Sequence, residues 1–571
     1  MTARRTRFAA GALLFVCLAL MARAQQVTTI TAAGLGYPVP APVESLTPVD
    51  GFRSLASLRA RYAALALEHD FITPQQVGQS RNGRPIDAYL FATADEADVE
   101  GRPKPAAMLN GTIHAREWAS PEVVAAVAEW LAGEQATDPV ARYLIENTTT
   151  LILPVGNPDG FQVTQTYPDQ TFDGGTTGAS GSDGRMRRKN LRDADEMLTT
   201  AADRFNGVDL NRNHPVGWSS ASPLSAGYGG PSPGSEAETA AFAAAAGLLA
   251  PGRLRFYVDI HSYSQLYYVI HDSHPRRNAL CDRAHGLMTA ATLATSGRNY
   301  INPQSVNVDA PGEAIGATDE YMGKTYRCMS YTLELRPTGG SNGFILPAAQ
   351  IAETRREILA ALRAGLYFAS GPAALIAVEV WPIEEPAAAP LFRELRRYDP
   401  ESNRREIEQT WTGPIEPGAR WRMVLRFNKP LRERRDDAAR LLPGADGAAA
   451  PELALPGLAG AQFGAPEWLF TVGDGPDHAL RYGGDSVALE LDLANLAADV
   501  EGRFTMSVQC VDLAGQALDA DPRTPVDWSE NGWVGYEDDA GLPGIEGGAD
   551  QLTRLPIGQS ETGVGRSELY R

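Results

Sequence analysis

Apolar residues in the first two-thirds of the chain alternate between helical spacing and short continuous runs. From Leu55 to Glu68 the spacing suits a helix, and beyond the turn over 77–85 a strand runs from Ile86 to Phe91. Ala106 to Leu109 is a short apolar run. After it, Val123, Val127, Trp130 and Leu131 recur at helical spacing, with Ser120 placed as N-cap, Pro121 as first helical residue and Glu122 in the first turn. Thr149 to Val155 is β-rich and ends in the turn signal Asn157-Pro158-Asp159-Gly160. Ser235 and Glu238 have the spacing of a capping box ahead of an Ala-rich helix. Two further strands, Arg253 to Ile260 and Tyr331 to Leu335, deliver His261 and Glu334, and a long helix from Pro347 to Phe368 closes the region. Strands alternating with helices predict an α/β domain on a mixed, mostly parallel sheet, whose ligands collect beyond the carboxyl ends of strands.

From about Ala374 the pattern changes to period two. Trp421, Met423, Leu425 and Phe427 alternate with polar neighbours, as do Val487, Leu489, Leu491 and Leu493, then Phe504, Met506, Val508 and Cys510. Strands with Gly/Pro-rich turns and no helices between them predict a β-sandwich. The pieces Phe427-Asn428-Lys429-Pro430 and Val511-Asp512-Leu513-Ala514-Gly515-Gln516 resemble bacterial immunoglobulin-like modules. The chain divides into a signal peptide over 1–24, a linker over 25–50, an α/β domain over 51–371, an all-β domain over 374–536 and an acidic, Gly-rich tail over 537–571 read as flexible unless it docks.

A chain of 571 residues, 43% hydrophobic, is long enough for more than one core. Arg4, Arg5 and Arg7, the apolar stretch Phe8 to Met21 and Ala22-Arg23-Ala24 read as a cleavable export signal, so a secreted or periplasmic location is expected, with no membrane span. The net charge of −19 argues against a nucleic-acid partner, which calls for a basic footprint. Cys281, Cys328 and Cys510 include no C-x-x-C pair; an oxidising compartment would permit a Cys281–Cys328 bridge, and two buried thiols are the other reading.

His114 and Glu117 stand three apart beyond the Ala106–Leu109 run. At a strand end, a ring nitrogen and a carboxylate so spaced can converge on one ion, and zinc held by two histidines and a carboxylate keeps a position open for water. Alone, H-x-x-E also suits an ordinary surface turn. H-E-x-x-H is absent, which removes thermolysin-like metalloproteases, and the G-x-S-x-G matches around Ser232 and Ser341 lack the strand-to-helix setting of a nucleophile elbow.

Further stretches fall in order after His114-Ala115-Arg116-Glu117-Trp118: Asn157-Pro158-Asp159-Gly160, Val208-Asp209-Leu210-Asn211-Arg212-Asn213, Asp259-Ile260-His261-Ser262-Tyr263-Ser264-Gln265, Thr332-Leu333-Glu334-Leu335-Arg336 and Gly343-Phe344-Ile345-Leu346-Pro347. Together they resemble the zinc carboxypeptidases of the carboxypeptidase A type, the M14 metallopeptidases, over roughly Gly51 to Ser370. The resemblance implies helices on both sheet faces and one zinc ion held by His114, Glu117 and His261. It implies hydrolysis of the C-terminal peptide bond of peptides or proteins by metal-activated water, with Glu334 as general base. Arg188, among the basic residues 187–189, matches the oxyanion-stabilising arginine. Asn211 and Arg212 match the grip on the terminal carboxylate, and Arg116 and Tyr263 the secondary subsites. Asp209 matches the carboxylate behind His114, although an Asp capping a turn reads the same way. Thr318 falls at the floor of the specificity pocket and implies a neutral or mildly hydrophobic terminal residue. The family's mobile tyrosine has no clear counterpart: the segment 307–319 puts Pro311 or a neighbour there, and a gap would recruit Tyr300. The same zinc site acting on bacterial cell-wall peptides, or a catalytically silent binding protein, are the competing functions.

Overall fold

The computed structural model describes residues 51–166, 184–194, 206–339, 343–383, 389–399, 404–433, 441–445, 450–470, 482–518, 551–559 and 563–566, a few isolated positions between them, and the short strand pair Ile30–Thr31 with Pro38–Val39. The expected signal peptide and most of the linker lie outside the described residues, as does Ser341.

The α/β region runs α1 (Leu55–Glu68), β1 (Ile72–Gln79), β2 (Pro85–Phe91), β3 (Ala106–Gly111), α2 (Ala119–Glu134), α3 (Pro139–Asn147), β4 (Thr149–Leu153), α4 (Pro158–Thr166), α5 (Ala237–Ala246), β5 (Leu254–Ser262), β6 (Leu266–His271), α6 (Pro275–Ser296), β7 (Val306–Asn307), α7 (Thr318–Tyr326), β8 (Met329–Leu335) and α8 (Ile351–Ala369). Its eight strands form one sheet in the order β1-β2-β4-β3-β5-β8-β6-β7. The central run β4-β3-β5-β8 is parallel, flanked by antiparallel neighbours. Side chains alternate across it. Ala107, Leu109, Phe256, Val258, Ile260, Tyr331, Leu333 and Leu335 share a core with α1, α2, α6 and α8, whereas Met108 and Tyr257 face α5 and α7. Helices therefore cover both faces, and Asn110, Asp259, His261, Thr332 and Glu334 project from the α5/α7 side.

Three local expectations shift. Helix α2 begins at Ala119, because the Ser120 hydroxyl is used elsewhere: it accepts from Thr112 N at 2.8 Å and donates to Glu117 O, fixing the turn that carries the metal motif. Asn157-Pro158-Asp159-Gly160 is a turn that opens a helix: Asn157 Oδ1 accepts from Gly160 N at 3.0 Å as α4 starts. The capping box at Ser235 does not form. Glu238 is drawn instead to Arg81 N and Asn190, and the Ser235 hydroxyl pairs with Asn213 and Glu236. Cys281 and Cys328 are buried free thiols, so the permitted bridge is absent, and Cys510 is a buried thiol in the C-terminal core.

The C-terminal region is all β. It comprises β9 (Leu375–Pro382), β10 (Phe392–Asp399), β11 (Arg404–Trp411), β12 (Arg420–Phe427), β13 (Glu452–Ala454), β14 (Gln462–Phe463), β15 (Glu467–Leu469), β16 (Ser486–Asp492), β17 (Gly502–Gln509), β18 (Gln551–Ile557) and β19 (Gly563–Arg566). One antiparallel sheet runs β14-β16-β12-β9-β10-β11-β19 with β15 also on β16, and a second runs β13-β17-β18. Val378, Val380, Met423, Leu425, Val487 and Leu489 of the first meet Met506, Val508, Leu555 and Ile557 of the second in one core. The tail read as flexible therefore contributes two strands. Within 551–557, Thr553, Leu555 and Ile557 are buried at period two, a short signal that the surrounding Gly and acidic residues concealed.

The two regions meet through buried polar and aromatic contacts. Lys429 Nζ, fully buried, donates to Tyr367 O at the end of α8 (3.1 Å), Ser370 Oγ (3.3 Å) and Gly371 O (2.7 Å), and pairs with Asp512 at 3.1 Å. Tyr367 OH donates to Pro430 O, and Leu442, Tyr482, Leu513 and Ala514 join the core of the α/β region. Among the described residues no helix is long and apolar enough to cross a membrane.

Candidate metal centre

His114 and Glu117 sit in the turn between β3 and α2, and His261 is the penultimate residue of β5, beside β3 in the sheet. His114 Nδ1 lies 2.8 Å from Glu117 Oε1 and 3.0 Å from His261 Nδ1, while His261 Nδ1 lies 3.0 Å from Glu117 Oε2. Among the described residues, one ligand atom from each of the three falls within 4.8 Å of the others, and all three side chains are buried.

Their outward nitrogens are occupied by carboxylates. His114 Nε2 is 3.1 Å from Asp209 Oδ1, and His261 Nε2 is 2.9 Å from Asp259 Oδ2, off the best hydrogen-bonding direction. With the protons directed outward, two imidazole lone pairs and a carboxylate aim at the same buried space. That arrangement is costly without a cation, and its donor set is the one zinc prefers at catalytic sites. Despite burial, the facing His114 and His261 hold the Glu117 carboxyl well below the usual range.

Asp209 is positioned for both readings of it. Its Oδ1 caps the short 3-10 turn Leu210–Arg212 through Asn211 N while facing His114, and its Oδ2 binds Arg188 at 3.0 Å from Nε and 2.9 Å from Nη2. Arg188 is thereby turned toward the centre, with Nη1 3.2 Å from His114 Nδ1. Glu334 is the in-register neighbour of His261 across the β5/β8 ladder and lies on the same face. Its Oε2 is buried without a hydrogen-bond partner among the described residues, and burial together with the Glu117 carboxylate pushes its carboxyl up to about 8.

A family model described as zinc carboxypeptidase matches residues 60–361, just over half of the 571-residue chain. The chain belongs to the zinc carboxypeptidase family. It is 32% identical over 302 residues to a metallocarboxypeptidase A-like protein of Trichophyton verrucosum, covering 50% of this chain and 63% of that one. It is 30% identical over 295 residues to carboxypeptidase A2 of Mus musculus, covering 50% and 62%. These matches span under two-thirds of each relative's own length. Among solved structures, carboxypeptidase A from Helicoverpa armigera aligns with a TM-score of 0.45 at 25% identity, over 56% of this chain and 74% of that chain.

In this member of the family the other predicted residues form local contacts of their own. Asn211 Oδ1 accepts from Thr318 N at 2.8 Å, joining the 3-10 turn to the start of α7, and Arg212 donates from Nη1 to Asn211 O. Thr318 is fully buried, and its hydroxyl has no hydrogen-bond partner among the described residues. The Arg116 guanidinium lies 3.8 Å over the Phe344 ring, which Tyr263 meets edge-on at 4.8 Å. Tyr300 is not a mobile tyrosine: it is fully buried, and its hydroxyl donates to Glu357 Oε1 at 2.8 Å behind the sheet. Arg187, beside Arg188, is buried and donates to the carbonyls of Asn190 and Asn206, so it braces the loop rather than facing the centre. Asp259 was assigned no role from the sequence, yet it is the carboxylate behind His261. Its position two residues before a ligand on a strand, hence on the same face, was the available signal.

Proposed function

We propose that this chain is an exported zinc metallocarboxypeptidase that releases single residues from the C-termini of peptides and proteins. The observation that carries this reading is the convergence of His114, Glu117 and His261 on one buried point, with an unpartnered carboxylate oxygen of Glu334 beside it. Held by those three residues, zinc supplies Lewis acidity, making water nucleophilic near neutral pH and polarising the scissile carbonyl. Glu334 takes the proton from the attacking water and returns it to the departing amine. Arg188, locked at one edge by Asp209, offers its remaining guanidinium hydrogens to the negative charge developing on the carbonyl oxygen. Arg212 and the Asn211 amide nitrogen hold the substrate's terminal carboxylate, since the Asn211 oxygen is already engaged by Thr318 N. Thr318 lies at the floor of the terminal side-chain pocket, and the wall of Arg116, Tyr263 and Phe344 receives the residues upstream. The C-terminal sheets form an immunoglobulin-like module that braces the catalytic unit through Lys429 and Tyr367.

A peptide panel differing only in the last residue, each with a free or amidated end, tests the reading. Free-ended peptides should lose one residue in a chelator-sensitive reaction, and amidated ones should resist. Glu334→Gln should keep its zinc by elemental analysis yet lose about 10²–10⁴-fold in kcat. Internal cleavage of amidated peptides, or parental turnover in that variant, would refute it.

A further inference from the structure

Behind His261, itself almost wholly buried, lies a line of three more buried side chains: Tyr257, Asn110 and Asp259. The sheet register assembles them. Tyr257, Asp259 and His261 alternate along β5 onto one face, and Asn110 of β3 is the in-register neighbour of Asp259. Tyr257 OH donates to Asn110 Oδ1, a short contact that decides which way the amide is turned. Its Nδ2 is thereby aimed at Asp259 Oδ1, to which it donates at 2.5 Å. That leaves Asp259 Oδ2 facing His261 Nε2 at 2.9 Å, off the best hydrogen-bonding direction, and among the described residues neither atom has a hydrogen-bond partner elsewhere.

We propose that Asp259 is a positioning residue for the metal centre, set by Tyr257 through Asn110, which fixes the tautomer and ring orientation of His261. The proposal rests on His261 being a zinc ligand. The physical case is one of exclusivity. A dry carboxylate needs partners for both oxygens, and here a single amide satisfies one, so the other is committed to the ligand ring. A proton held on Nε2 leaves the Nδ1 lone pair directed at Glu117 and His114, where a cation would be held. Asp209 does the same for His114, so each histidine is oriented by its own carboxylate from a different element. The Asp259 arrangement differs in one respect. Asp209 is also tied to Arg188 and the 3-10 turn, whereas among the described residues the Asp259 carboxylate, apart from facing His261, is held by Asn110 and through it by Tyr257.

The test is metal affinity of the full chain, measured by competition of the zinc-free protein with a chromophoric chelator, together with the visible absorption of the cobalt-substituted protein. Asp259→Asn should weaken zinc about 10–100-fold and shift the cobalt bands, with an unchanged circular dichroism spectrum. Tyr257→Phe removes one hydroxyl and serves if Asp259→Asn does not fold; it should weaken zinc in the same direction, by less than tenfold. Parental zinc affinity and cobalt spectrum in Asp259→Asn, or parental affinity in Tyr257→Phe, would overturn the proposal. So would unchanged affinity accompanied by a new preference for the substrate's last residue, because Asp259 would then line the substrate pocket. Wild-type protein that binds zinc tightly but releases no C-terminal residue would sink the function and leave this inference standing.

Discussion

Glu238 and His214 show how single buried groups set the pH range of the fold. Glu238 accepts only from neutral donors, Arg81 N and Asn190 Nδ2, and burial pushes its carboxyl up to about 7 from an ordinary value of 4.5. The folded chain keeps that proton after the unfolded chain has released it, so the stability involved is complete below about pH 4.5 and falls away as pH rises toward 7. Glu238→Gln should therefore add about 1–3 kcal/mol at pH 8 and nothing at pH 4, read from urea unfolding at the two pH values. His214 has the opposite sign. It is stacked on Tyr321 with an unpartnered Nε2, and burial lowers it to about 4. Stability is lost there as pH falls from about 6.5 toward 4, because the unfolded chain takes up the proton first. His214→Phe, which keeps an aromatic ring against Tyr321, should flatten that acid limb of the stability profile.

At the scale of elements, what the sequence disclosed depended on how local its cause was. Helices α1 and α8 and strands β2, β5 and β8 came through because their apolar periods are long and uninterrupted. The metal motif was legible for the same reason, since His114 and Glu117 share one turn. For Asp259 only its face was legible, two residues before His261 on the same strand, because its contact with Asn110 depends on β3 lying beside β5. Ser120 read as a cap by its neighbours in sequence, and was instead claimed by Thr112 N from across the turn. Tyr300 was a reasonable recruit for a closing tyrosine until Glu357 on α8 held its hydroxyl. Strand β18 failed to register because its alternation lasts only a few residues within a Gly-rich acidic stretch. Its burial gives a direct check: Leu555→Ala should cost about 2–5 kcal/mol in denaturant unfolding, where a loose tail would leave stability unchanged.

Across the molecule, the α/β and β regions are tied by charges that have no access to water. Lys429 and Asp512 are both fully buried, and removing one partner strands the other. Lys429→Met should destabilise the protein by about 3–5 kcal/mol, and adding Asp512→Asn, which keeps an acceptor for Ala514 N and Gln516 N, should restore most of that loss. If the double variant were as unstable as the single one, the cost would lie in lost contacts to Tyr367 and Gly371 instead. The position of β18 and β19 has a consequence for biogenesis. Leu555 and Ile557 complete a core begun by Val378 about 180 codons earlier, so a nascent chain holds an open, apolar half-sheet until those late residues have left the ribosome. Such a nascent chain depends on being shielded from its neighbours during that interval, and premature stop codons upstream of Gln551 should yield products that chaperones retain and proteases clear.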